Sequence, residues 1–184
     1  MTVIAAQCLN EEILLGYSDG AELGGTPVAG TSIPWIFFGA WALGITGVSA
    51  AQRVLSYELK SKVDDGFQVD DVINCINGIL VDNYFGSKDD GENVMSFGIY
   101  SILVNKDGRV WDVGGCLTFT QIPEGAVWAQ GSGADYVIGA DHALRKHSVN
   151  LSDNDRLIAC LEAAIANDLY CIGNPVVRSW SRQR

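Results

Sequence analysis

The residue with the most chemical potential stands second in the chain. Thr2 follows only Met1, and the residues after it, VIAAQC, run directly into an apolar strand. Removal of Met1 would leave Thr2 with a hydroxyl and an α-amine on one residue. Such an amine titrates near about 7.7–8.0, so it can take the proton of its own hydroxyl and activate the oxygen as a nucleophile. Other catalytic signatures are absent: the sequence holds no H-E-x-x-H, no G-x-S-x-G and no P-loop. Gly131-Ser132-Gly133-Ala134 opens a helical stretch whose first N–H groups suit an anion. His142 and His147 fall on the polar side of that helix beside Arg145 and Lys146, and are expected in solvent.

Cys8, Cys75, Cys116, Cys160 and Cys171 are scattered, odd in number and never spaced C-x-x-C. Four of them sit in apolar periodic stretches, which reads as small core residues in a reducing compartment. No metal site and no cofactor are expected. No basic segment followed by an apolar run opens the chain, so a cytoplasmic location without a signal peptide is the expectation.

Twelve basic residues against 22 acidic give a net charge of −10, which disfavours nucleic acid and anionic membranes as partners. With 184 residues, 48% hydrophobic and 18% charged, the chain fits one domain with part of its surface hidden in an oligomer. No charged residue occurs between Glu22 and Arg53, and Ile33 to Ala51 has the length of a membrane span. Pro34, Gly39, Gly44 and Gly47 interrupt it, and its aromatic and β-branched residues come in short runs. Two buried strands about a turn explain that stretch better than one helix.

The elements that must position Thr2 follow from periodicity. Thr2–Cys8 and Glu12–Ser18 read as a hairpin across Leu9-Asn10-Glu11, followed by a glycine-rich loop from Asp19 to Gly30. Trp35–Phe38 and Trp41–Thr46 are short strands covered on both faces. Val48, Ala51, Leu55 and Leu59 fall at helical spacing, as do Val69, Val72, Ile73, Ile76 and Leu80, with a break at Asp64-Asp65-Gly66. The second helix is expected to end near Tyr84, before the polar loop GSKDDGEN.

Strands return at Ser96–Val104 and Arg109–Val113 around the turn Lys106-Asp107-Gly108, and Leu117–Gln121 and Ala126–Gln130 are read as continuing the sheet. Two more helices carry Tyr136–Leu144 and Leu157–Leu169, the latter capped by Ser152, before a last strand at Pro175–Ser179. Helices that arrive in pairs after hairpins argue against parallel winding. The expectation is α+β: two face-to-face sheets with a helix pair outside each, a four-layer αββα sandwich in one domain over residues 1–184.

The chain resembles the proteasome β-subunit and HslV-like peptidase family of N-terminal-nucleophile hydrolases over nearly its whole length. The resemblance rests on TVIAAQ, GYSDGAELGGTPVAG, ALGITGVSAAQ entering the first helix, and GSGADYVIGA entering the third. It implies a threonine peptidase or amidohydrolase in which Thr2 attacks the carbonyl. Asp19 would orient a lysine, Gly47 would donate its N–H to the oxyanion, and Ser132 and Asp168 would complete the site around the amine. The family's lysine, at the start of the third strand, is replaced here by Pro34 or Trp35, depending on where a loop gap falls. The resemblance also implies a homo-oligomeric ring, a peptide or protein substrate and an ATPase unfoldase as partner. A second reading is a catalytically inactive scaffold with the same fold, Trp111, Trp128 and Trp180 serving as exposed interface anchors. A third is an unrelated small-molecule binder that uses the glycine-rich loops.

Overall fold

The computed structural model describes residues 2–23, 26–29, 33–47, 49–88 and 95–183. The first hairpin joins β1 (Val3–Cys8) to β2 (Glu12–Leu23), and β2 turns back into β3 (Thr26–Ala29). A second hairpin pairs β4 (Trp35–Phe38) with β5 (Trp41–Gly47), then α1 (Ser49–Lys62) and α2 (Val69–Asp82) follow. A short hairpin of β6 (Ser87–Lys88) and β7 (Met95–Ser96) leads into β8 (Ile99–Asn105), β9 (Val110–Val113) and β10 (Phe119–Ile122). The chain then runs through β11 (Val127–Gly131), α3 (Ala134–Lys146), α4 (Asp153–Asn167) and β12 (Cys171–Ser181).

Among the described residues the strands make two five-stranded sheets and the two-stranded β6–β7 sheet, and every pairing is antiparallel. The first has the order β11-β1-β2-β12, with β3 beside β2; the second has the order β10-β9-β8-β5-β4. Three apolar cores hold these parts together. Ile4, Ala6, Ile13, Leu15 and Tyr17 of the first sheet meet Trp35, Ala42, Ile102, Val104 and Ile122 of the second. The other face of the first sheet packs Val3, Ala5 and Leu14 on Val137, Leu157 and Leu161 of the last two helices. The second sheet presents Ile36, Leu43 and Ile45 to Leu55, Leu59, Ile76 and Leu80 of the first two. Each Leu or Ile sealed in this way contributes about 1.5–3 kcal/mol of transfer free energy.

Local chemistry starts the helices where periodicity placed them. Ser152 accepts the Asp155 N–H at 3.1 Å, and Asp71 accepts the Gln68 N–H at 2.9 Å, so α4 and α2 each have a capped N-terminus. Among the described residues no helix is long and apolar enough to cross a membrane; the uncharged stretch forms the β4–β5 hairpin and the start of α1.

Several expectations change. The glycine-rich segment after Asp19 is not a loop throughout: β2 runs on to Leu23, and Gly20 pairs with Ala29 of β3. Gly20 is there because the Ile172 carbonyl oxygen and side chain would lie 2.9 Å from any Cβ. The stretch Ser96–Val104 is broken at Gly98, which has φ +63°, so β7 and β8 are separate strands. β11 leaves its predecessors and pairs with β1 in the other sheet. The last strand is longer than its apolar run because β2 supplies backbone partners from Cys171 to Ser181.

Trp111 is no surface anchor: it is buried against Trp41, with ring centroids 5.5 Å apart. Trp128 and Trp180 are half-buried on the core between the sheets. Met1, Val48, Thr31, Ser32 and the polar loop after Lys88 lie outside the described residues.

Candidate active site

Thr2 stands at the leading end of β1, partly exposed, where the two sheets meet at one edge of their shared core. Its Oγ1 lies 2.5 Å from Oγ of Ser18 and donates to the Ser18 carbonyl at 3.1 Å. Thr2 carries one hydroxyl proton. The Ser18 hydroxyl in turn has the Gly20 carbonyl at 3.4 Å, so either hydroxyl can be the donor in the short contact, and Ser18 is the donor when the Thr2 proton is on the carbonyl. Ser18 is buried, and its oxygen also lies 3.5 Å from the Val3 nitrogen, so its rotamer is fixed from two sides. The β1–β2 register, Ile4 opposite Tyr17, is what brings Ser18 to the head of β1.

The opposite flank is glycine. Gly131 ends β11 opposite Val3, with φ +107°, and a Cβ there would run into the Thr2 carbonyl and come within 3.2 Å of Thr46 Cγ2. The ends of β1, β5 and β11 therefore converge around Gly131. Gly47, next to Thr46, has φ +106°, and a Cβ on it would strike the Gly98 carbonyl. Both glycines are required by close backbone approach and by a left-handed φ.

Ser132 and Asp168 come together around a residue that the sequence reading did not select. Ser132 Oγ lies 3.7 Å from Sγ of Cys171, and a Cβ on Gly133 would meet the same sulfur at 2.7 Å and Val3 at 3.4 Å. Asp168 closes α4; its carbonyl accepts the Cys171 N–H at 3.3 Å and its Oδ1 accepts the Tyr170 N–H at 2.6 Å. Burial pushes the Cys171 thiol up to about 11; the hydrogen bond from Ser132 opposes this and the Asp168 charge adds to it. This thiol is a neutral core group behind the site and no nucleophile.

Asp19 reaches the seam between β2 and β12. Its Oδ1 accepts the Asn174 N–H at 2.6 Å, at the irregularity of β12 between Ile172 and Pro175, while Ser18, one residue earlier, meets Thr2. Of the two candidates for the lysine position, Pro34 gives its carbonyl to the Ile45 N–H at 3.0 Å. Trp35 is the one whose side chain enters the space between the sheets. Its indole N–H donates to the Gly16 carbonyl at 3.3 Å, and its ring reaches Gly44 beside Ile4. The five lysines of the chain, at positions 60, 62, 88, 106 and 146, all lie outside β4. No cluster of His, Cys, Asp and Glu among the described residues could hold a metal ion.

Reading types alone did not select Ser18 or Cys171 for the site, and placed Gly131 there only as part of the turn that opens α3. The hairpin register carried the signal for the first, since a turn at Leu9–Glu11 fixes which residue of β2 faces the start of β1.

No family model matches the sequence, and no curated protein matches it. Solved structures do match it. BPH of Thiobacillus denitrificans in complex with epoxomicin has a TM-score of 0.80 at 17% identity, over 99% of this chain and 100% of that one. A second structure of Thiobacillus denitrificans BPH gives 0.79 at 18% identity, over 100% and 99%. Eukaryotic HslV from Trypanosoma brucei gives 0.67 at 14% identity, over 98% and 99%.

Proposed function

From a chain that has the HslV-like, proteasome-type fold along its whole length, we propose a subunit of a self-assembling homo-oligomeric ring. In this reading it is one domain, its sheets and helix pairs stacked as a four-layer αββα sandwich. It acts as a cytoplasmic threonine-type peptidase or amidohydrolase on peptides or proteins. The observation that carries the reading is the Thr2 hydroxyl, held by the buried Ser18 at the open head of β1.

After Met1 removal the Thr2 amine takes the hydroxyl proton while Oγ1 bonds to the substrate carbonyl carbon. The C–N bond then breaks, the departing amine takes the proton from the ammonium, and the acyl group remains as an ester on Thr2. Water gives its proton to the same amine, attacks the ester and restores the hydroxyl. Gly47 is assigned the N–H that meets the oxyanion. Ser132 and Asp168 hold the wall behind the amine, and Asp19 fixes the β2–β12 seam that carries Ser18. The short bond from Ser18 stabilises developing charge on Oγ1, a task that a neutral hydroxyl does less strongly than a cation.

The second reading, an inactive scaffold, is favoured by Trp35, one of the two candidates for the lysine position, whose indole fills space between the sheets. The comparison structure of BPH with epoxomicin suggests the test. Intact mass is read before and after incubation with that compound. A chain lacking Met1 that gains one adduct, lost in Thr2→Ala, supports the peptidase. A chain that keeps Met1, or refuses the compound after Met1 has been removed, leaves the scaffold.

A further inference from the structure

A groove of about 740 Å³ runs between the outer strand of the second sheet, β4, and the exposed face of α1. It begins beside the site: Ser49, its first helical residue, is two positions past Gly47, and Trp35 lines it. Its apolar wall carries Ile33 and Phe37, which are 40% and 39% exposed. The facing wall is Gln52, Arg53, Ser56 and Lys60 on one side of α1, and among the described residues no carboxylate lines the groove. Glu58, the one acidic residue of that helix, is held by Lys62 at 2.6 Å. Arg53 and Lys60 make no ion pair with any described residue.

Two cations without an ion pair among the described residues, on an apolar groove, are notable in a chain of net charge −10. Acidic solvated surface repels carboxylates in general, so a local cationic rim selects where an acidic segment can approach. Lys60 lies about two helical turns beyond Arg53, so the rim is roughly 10 Å long, the reach of three extended residues. Among the described residues β4 is the outer strand of its sheet, and an outer strand offers backbone groups along the same line.

We infer that this groove binds an extended, acidic-apolar segment of the substrate, aspartate or glutamate meeting Arg53 and Lys60 and apolar side chains meeting Ile33 and Phe37. The inference rests on the peptidase reading and names the class of substrate for it.

The test uses the full chain after Met1 removal and two fluorescein-labelled peptides that differ only in carrying glutamate or lysine between leucines. Anisotropy reads binding whether or not cleavage follows, so a protein inert to epoxomicin can still bind, and the two ideas fail separately. The glutamate peptide is expected to bind about tenfold more tightly than the lysine peptide at low salt. High salt should collapse the difference. Arg53→Glu with Lys60→Glu should reverse the preference, and Arg53→Gln should weaken it; both residues are exposed, so the fold tolerates either change. Equal affinities, a lysine preference, or no effect of the charge reversal would overturn the inference. So would a change of particle mass in the reversed variant together with no peptide binding, which would make the groove a contact between copies.

Discussion

Oγ1 of Thr2 and Oγ of Ser18 lie 2.5 Å apart across the head of the first hairpin. A hydroxyl pair this close, with one member buried, lowers the energy of whichever oxygen gives up its proton. Each hydroxyl has a second acceptor, the Ser18 carbonyl at 3.1 Å for Thr2 and the Gly20 carbonyl at 3.4 Å for Ser18, and Thr2 is the partly exposed member of the pair. Ser18 is thus a positioning residue for the candidate nucleophile.

Ser18→Ala should slow epoxomicin labelling of the Met1-free protein about tenfold, the worth of one neutral hydrogen bond of roughly 1.4 kcal/mol. Ser18→Thr keeps the oxygen and should recover part of the rate. An unchanged rate in the alanine variant would reduce Ser18 to a structural bond of β2.

Much of this arrangement was legible in residue order. The paired helices, the break at Asp64-Asp65-Gly66, the β4–β5 hairpin and the cap at Ser152 all follow from periodicity and turn chemistry. What was not legible depends on long-range pairing. β11 crosses to β1 because Val3 and Gly131 pair, and no local pattern says so. Asp19 carries the motif-like residue type, but strand register assigns it to Asn174 and gives Ser18 to Thr2. Cys171 looked like any core cysteine until Ser132 and Asp168 were found around it.

Two glycines of similar appearance should respond in opposite directions. Gly131→Ala forces a Cβ onto the Thr2 carbonyl at φ +107°, where backbone has no room to yield, and should cost about 2–3 kcal/mol or more. Gly139 lies on the exposed side of α3 with nothing within 4 Å of a new Cβ, so Gly139→Ala should add about 1 kcal/mol. Chemical denaturation of both variants reads the difference. Equal stabilities would mean that β11 does not approach Thr2 as described.

The thiols make a pH prediction. Burial raises Cys160 to about 12 and Cys171 to about 11, from an ordinary 9.0. The unfolded chain therefore releases these protons at lower pH than the folded one does. Their contribution is fully present below about pH 9 and is lost as pH rises from there through about 11 and 12. Unfolding midpoints should show no thiol-dependent change between neutrality and pH 8, then a fall that Cys160→Ala and Cys171→Ala lessen. At neutral pH the exposed Cys116 should alkylate first in the native protein, well ahead of Cys160 and Cys171. Rapid labelling of Cys171 at pH 7 would instead show that the wall behind Thr2 opens.

Trp35 decides whether a missing charge can simply be restored. Trp35→Lys places an ammonium where an indole now packs by Ile4 and Gly44 and bonds to Gly16. Losing that ring from the core between the sheets costs about 3–5 kcal/mol, and desolvation lowers the pKa of the new amine, so little charge reaches Thr2. The variant should melt well below the parent and label with epoxomicin no faster, while Trp35→Phe, which keeps most of the packing, should lose about 1–2 kcal/mol. A Trp35→Lys protein as stable as its parent and quicker to label would mean the indole occupies a charge site by default. In that case the inter-sheet core would have to draw its stability from the aliphatic layer of Ile4, Leu15, Ile102 and Val104.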